Sequence, residues 1–293
     1  RNFTNNGSSI TIRSDPDSGL TPVISPPAGS TAAFHIANAS VNVQGVSIVA
    51  AQNIPYGVWA SSAYVNLDAI AVSTSGAMGI YTAGLRISSW TTVSYSSVAV
   101  AEAHGLWLDA GAQRDTVSHS TFQAKSAASH ALYLNGASSN SVTAVMLKNA
   151  SGHGAYLSAN SNFNVFSQST MTSSGANFVA FYLQGADSNT VTGSYIQNTA
   201  GYGAVVESGS DYNAIAQSTM VSWAAGPYAL SITDSDRNAV TGAYIQNLAG
   251  NGALLDTGAD YNTIAMSTML AGAGSYAALY FNNAASNTIS ASF

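Results

Sequence analysis

Apolar and polar residues alternate with a period of two through most of this chain, in short runs broken by turns. LWL at 106–108, LYL at 132–134 and LYF at 279–281 are the clearest of them. Such alternation predicts strands with one face in a core, and no stretch carries the 3.6-residue spacing of a helix. The runs also recur. SNTVTGSYIQN at 188–198 returns as DRNAVTGAYIQN at 236–247, more loosely as SSNSVTAVMLKN at 138–149, and in short form as SNTISASF at 286–293. Between these copies lies a second type: DTVSHSTFQ from Asp115, NFNVFSQSTM from Asn162, DYNAIAQSTM from Asp211 and DYNTIAMSTM from Asp260.

Aligned on Asn-x-(Val/Ile), the two types place Asp115, Asn140, Asn164, Asn189, Asn213, Asn238, Asn262 and Asn287 in one column, with steps that alternate between 25 and 24 residues. The repeat is therefore about 24.5 residues, its true unit is a pair, and a period in this range means a solenoid. Apolar marks follow the same period: Val43, Leu67, Val93, Val117, Val142, Phe166, Val191, Ile215, Val240, Ile264 and Ile289. They predict eleven coils stacked through a common core. Each coil reads as an alternating strand, an Asn-bearing turn, a brief strand around the apolar mark, and a third strand. That third strand sends Phe122, Leu147, Met171, Ile196, Met220, Ile245 or Met269 inward. Residues 1–30, with turns at DPDSG and SPPAG, are expected as an irregular first coil or cap, and 31–293 as the solenoid proper.

Composition narrows the setting. Only 7% of the 293 residues are charged, the formal net charge is −6 with seven Lys+Arg, and there is no Cys. Such a balance argues against a nucleic-acid partner, and the absence of Cys excludes disulfides and thiolate metal sites. No apolar run is long enough for a membrane-spanning helix, so no membrane insertion is expected. A surface of Ser, Thr, Asn, Ala and Gly predicts a secreted or cell-surface β-protein. The sequons at Asn2, Asn6, Asn38 and Asn149 are about as many as this composition gives by chance.

The coils NGALLDTGADYNTIAMSTM and AALYFNNAASNTISASF, with the opening ITIRSDPDSG…PVIS…FHIANASVNVQGVSIVA, resemble the repeats of the pectin-lyase-like superfamily. The resemblance covers essentially the whole chain. It implies an all-β, right-handed parallel β-helix of about eleven coils of 24–25 residues, three short strands to a coil, and an Asn ladder. The superfamily holds polysaccharide lyases, hydrolases, epimerases, phage tailspikes, adhesins and non-enzymatic surface proteins, so a fold of this kind leaves function open.

In a solenoid, equivalent positions of successive coils lie about 4.8 Å apart, so the alignment also maps surface columns. Asn140, Asn164, Asn189, Asn213, Asn238, Asn262 and Asn287 form a ladder in which each amide can bond the next. Asp187, Asp211, Asp236 and Asp260 cap turns, or else form an edge for Ca²⁺, a hard cation that takes carboxylate oxygens. No other cofactor is expected. Trp59, Tyr81, Trp107, Tyr133, Tyr156 and Tyr182 align as an outward stripe of rings, in a column that runs on through Val205, Ser231, Leu254 and Tyr280. Such a stripe suits stacking on sugars or contact with a neighbouring subunit. His104, His130 and His153 stand in register three residues before it, either as stacked neutral rings or as a transition-metal site.

Paired carboxylates with a nearby Arg or Lys, as polysaccharide cleavage needs, do not emerge from the alignment. Lys125, Lys148, Arg86, Arg114 and Arg237 are scattered, and only Arg114 has an acid beside it in sequence, Asp115. SNTISASF closes the chain without a helix, charge cluster or Pro, which predicts either a piece of a longer protein or coils stacking end to end. The expected function is a non-catalytic extracellular structural or adhesive protein that self-associates end to end. The alternative is a protein that binds or cleaves polysaccharide on the stripe, with His104, His130 and Asp109 as candidates and a glycan as ligand.

Overall fold

The computed structural model describes residues 9–37, 40–74, 79–272 and 274–293. Among the described residues, corresponding strands of successive coils hydrogen-bond into three parallel sheets of 12, 11 and 11 strands. We label the sheets A, B and C in the order the chain meets them, beginning at Ile10–Arg13, Val23–Ile24 and Ala32–Ile36. Among the described residues the only helical element is a 3-10 turn, Pro16–Ser18, whose Asp15 accepts the amide of Asp17. The apolar marks lie in register down sheet A, from Val43 opposite Leu67 to Ile264 opposite Ile289. Ile12 opposite Val43 extends the column by one coil, so the expected cap is already woven into the solenoid from Ile10 on. Residues 1–8 of that cap, and the sequons Asn2, Asn6 and Asn38, lie outside the described residues.

The inward residues of sheet B stack in the same way, Phe122 on Leu147, Met171, Ile196, Met220, Ile245 and Met269. All seven are buried. Full burial of one such side chain is worth about 1.5–3 kcal/mol, and each coil contributes several, so the core is a continuous apolar column. Phe166 and Phe181 fill it edge to face, with ring centres 5.3 Å apart.

A single-residue bend precedes the ladder in each coil. The residue just before the ladder position is left-handed throughout: Ser139, Phe163, Ser188, Tyr212, Arg237 and Tyr261 have φ between 54° and 59°. A left-handed non-glycine residue costs about 1–2 kcal/mol, and the ladder offsets that cost by satisfying the turn's polar groups. Asn189 Oδ1 accepts both the backbone amide of Asn164, at 2.8 Å, and its side-chain amide, at 3.1 Å. Asn164 Nδ2 also donates to the carbonyl of Ala137. Asp115 occupies the ladder position one coil before Asn140, buried, accepting the amide of Thr91 at 2.7 Å.

The paired repeat originates at the bend from sheet B to sheet C. Asn149, Ser173, Asn198, Ser222 and Asn247 share one register position there. An Asn coil reaches sheet C in six residues, as from Asn198 to Ala204, because the Asn oxygen accepts the amides of Ala200 and Gly201 and closes a tight turn. A Ser coil takes eight, as from Ser222 to Leu230, and Ser222 Oγ donates to the carbonyl of Gly201. Asn149 is thus a buried turn amide rather than an accessible sequon. Gly105, Gly154, Gly203 and Gly252 follow the same 49-residue spacing. A Cβ on Gly203 would lie 2.4 Å from the carbonyl oxygen of Ala229, so glycine there lets successive coils close at the edge of sheet C.

Candidate functional site

The outer face of sheet C carries two neighbouring columns. One is the ring stripe: Trp107 stands opposite Tyr133, then Tyr156, Tyr182, Val205, Ser231, Leu254 and Tyr280. The other lies two residues further along each strand and is polar: Asn135, Ser158, Gln184 and Glu207 in one run, then Thr233 and Asp256. A diagonal bond joins the columns. Tyr156 donates its hydroxyl to Gln184, and Tyr182 donates to Glu207 of the following coil.

Arg86 and Asp109 follow the same diagonal, and they correct the sequence alignment. Trp59 pairs in register with Arg86, not Tyr81, and Arg86 pairs with Trp107. The strand Ile80–Ile87 is long and shifts register between Ile54 and Tyr56, which carries Tyr81 out of the column to an exposed position. The Arg86 guanidinium sits 5.1 Å from the ring centre of Trp59 and 4.9 Å from that of Trp107. It makes a two-point pair with Asp109, at 2.8 and 2.9 Å, and donates to Tyr56 Oη. Burial works against its charge, but the hydrogen bonds and charge of Asp109, with Tyr56, outweigh that and hold it above the ordinary range. Arg114 does not pair with Asp115; its guanidinium lies 4.5 Å from the ring centre of Trp90.

The stripe is also less open than its pattern suggests. The rings stack on one another along the solenoid axis, Tyr133 on Tyr156 at 5.5 Å and 17°, and Tyr156 on Tyr182 at 4.9 Å and 15°. They are half-buried and present edges and hydroxyls, with their faces taken up by each other. The stack ends at Tyr182, because Val205, Ser231 and Leu254 are small or aliphatic and lie low and buried in the column. A cleft of about 400 Å³ opens at that step. Val205, Ser231 and Leu254 floor it, Tyr182 closes one end, Tyr202 and Tyr228 form a wall, and Glu207 and Asp256 line the opposite rim. Burial and the hydrogen bond to Glu207 raise the Tyr182 hydroxyl well above the ordinary tyrosine range, so it stays a neutral donor. Hydrogen bonds from Thr257 and Asn282 hold the Asp256 carboxyl below its ordinary value, so it is ionised.

His104, His130 and His153 form a column beside the stripe, with ring centres 4.9 and 5.1 Å apart and planes tilted by 39° and 48°. His104 Nδ1 accepts the amide of His130, and His153 Nδ1 accepts the amide of Val179, each at 3.0 Å, so both carry their proton on Nε2. Burial lowers His104 and His153 to about 4; burial, with repulsion from both neighbours, lowers His130 to about 2. All three are neutral near pH 7. The aspartate column is a ladder of its own, in which Asp187, Asp211, Asp236 and Asp260 each accept the amide of the next coil. Each spends one oxygen on that bond, leaving the other for solvent or a cation. Among the described residues, no group of three or more His, Asp or Glu side chains is arranged to hold a metal ion.

A second aromatic column went unread in the sequence. Tyr64, Trp90, Phe163, Tyr212 and Tyr261 project from the left-handed bend before the ladder and are exposed. Arg237 lies between Tyr212 and Tyr261, 5.5 Å from each ring centre. The signal was available, since each stands immediately before a ladder position or its upstream equivalent.

No protein-family model matches the chain, and neither does any curated protein. Solved structures do. The Dettilon tailspike protein superposes with a TM-score of 0.63 at 11% identity, over 86% of this chain and 55% of that one. This chain therefore spans about half the length of that tailspike. The mannuronan C-5 epimerase A-module of Azotobacter vinelandii gives 0.59 at 11% identity, over 93% and 89%. The DFA-IIIase of Arthrobacter chlorophenolicus, solved with DFA-III, gives 0.57 at 12%, over 85% and 72%. The chain shares the parallel β-helix fold of these structures. No helix among the described residues is long and apolar enough to cross a membrane.

Proposed function

We propose that this protein binds a polysaccharide on the outer face of sheet C, with the cleft beyond Tyr182 as its principal subsite. One observation carries the reading: the stack of rings stops at Tyr182, and the step down to Val205 and Ser231 opens a space of about 400 Å³ there. Tyr156 already occupies one face of Tyr182, and the other looks along the axis into the cleft. An aromatic face beside hydroxyls and carboxylates is what a sugar ring needs, an apolar platform with fixed hydrogen-bond partners around it. That a tailspike, an epimerase and DFA-IIIase share the fold supports a carbohydrate ligand without selecting one.

The setting that fits is extracellular or cell-surface, in keeping with a surface almost without charge. Structural or adhesive use, including end-to-end association of coils, is a compatible role for such a protein, and the cleft would supply its adhesive contact. Glycan-array binding tests the reading through three variants. Ser231→Trp fills the cleft and Tyr182→Ala removes its platform, so each abolishes binding. Tyr133→Ala lies inside the stack, where no ring face is free, and changes affinity less than threefold. Retention of binding by Ser231→Trp sinks the proposal.

A further inference from the structure

The polar column of sheet C is mostly neutral, through Asn135, Ser158, Gln184 and Thr233. It has three carboxylates. Asp109 is neutralised by Arg86, the single acid–base ion pair among the described residues. The other two, Glu207 and Asp256, have no cationic partner among the described residues, and both border the cleft. They stand two coils apart at the same lateral position, about 10 Å along the axis. Neither Lys nor Arg lines the cleft, and its one histidine, His153, is held neutral by burial. Tyr182 engages one oxygen of Glu207, and Thr257 and Asn282 engage one oxygen of Asp256. The uncompensated negative charge of this face is therefore concentrated where the aromatic stack opens.

We infer that the cleft is selective for a cationic glycan, a polymer of hexosamine with unsubstituted amino groups, and rejects polyuronates. This rests on the reading of the cleft as a glycan site. A protonated amine gains a charge-assisted hydrogen bond from a carboxylate rim and a favourable approach to tyrosine faces. A uronate brought to the same rim places like charges together with no cation to separate them. Glu207 and Asp256 would each meet one amine, on sugar units about 10 Å apart, with Tyr182 closing the cleft at the Glu207 end.

Isothermal titration at pH 6 and low salt tests this with three hexamers: chitosan, its fully N-acetylated counterpart, and oligogalacturonate. The chitosan hexamer is expected to bind at least tenfold tighter than the acetylated one, and the uronate not at all. The double variant Glu207→Gln, Asp256→Asn keeps the acceptor for Tyr182 and the shape of the rim, and it erases the tenfold preference. Equal or tighter binding of the acetylated or uronate hexamer overturns the inference and leaves the glycan site standing. So does an array in which other glycans bind but chitosan does not. An array blank for every glycan overturns the glycan reading itself, and the inference with it.

Discussion

Trp59 stands opposite Arg86 in sheet C, with the guanidinium carbon 5.1 Å from the indole ring centre. Trp107 holds the other side of that cation at 4.9 Å, and Asp109 neutralises it through two hydrogen bonds. The pair is partly open to solvent, each side chain just over one-fifth exposed, so its value is discounted from that of a fully buried bridge. Arg86→Leu is expected to cost about 1–3 kcal/mol, since it strands Asp109 and removes the planar filler between two indoles. Arg86→Lys recovers less than half, because an ammonium cannot reproduce the fork. Urea unfolding followed by tryptophan fluorescence reads both; an unchanged midpoint for Arg86→Leu contradicts this account.

The repeat, the core and the ladder were legible because sheet A sets the 24–25-residue step and carries both the apolar marks and the ladder's neighbours. Sheet C does not keep that step. Trp59 to Arg86 is 27 residues and Arg86 to Trp107 is 21, because the extra residues of this coil fall between sheets B and C. An alignment anchored on sheet A therefore chose Tyr81, and it missed that Arg86 and Asp109 meet. The cleft was illegible for a different reason. Val205, Ser231 and Leu254 were placed in the stripe from the sequence, but a depression is defined by the height of its neighbours, and by Tyr182 being the last ring of a stack.

Asp115 gives the ladder a titrating rung. Burial pushes its carboxyl from 3.8 up to about 7, with the Thr91 amide opposing, and Oδ2 is buried without a partner. The folded chain holds this proton more tightly than the unfolded chain does. Its stabilising contribution is therefore complete below about pH 4, falls as pH rises, and is gone above about pH 7. Asp115→Asn restores a neutral amide, as in the seven coils that follow. It is expected to stabilise by about 2–4 kcal/mol at pH 8 and by little at pH 4. Melting curves at the two pH values decide it; an equal effect at both contradicts the assignment.

The histidine column titrates in the opposite sense. His104, His130 and His153 are lowered from 6.5 to about 4, 2 and 4, so the unfolded chain takes up protons first. Their contribution to stability is complete above about pH 6.5 and is lost as pH falls toward 4. Replacing all three with Gln should flatten the acid limb of the stability profile between those values. A limb that stays as steep would place the acid sensitivity elsewhere.

The aspartate ladder explains its own carboxylates, since Asp187, Asp211, Asp236 and Asp260 each hold the next coil's amide at 2.6–2.9 Å. Asp211→Ala should therefore destabilise by about 1 kcal/mol, as loss of a turn cap does, in the presence or absence of calcium. Millimolar Ca²⁺ should leave the wild-type melting temperature unchanged. A rise that the Asp211→Ala variant abolishes would instead establish a calcium edge.

The central claim is that ligand enters the sheet C cleft beyond Tyr182, and methyl NMR with the tightest-binding glycan tests it most directly. The account predicts shifts confined to the methyls of Val179, Val205 and Leu254, which line the cleft, with Leu106 and Leu134 in the core unmoved. Unmoved cleft methyls, with tyrosine signals shifting instead at the exposed corner of Tyr212 and Tyr261, would contradict it.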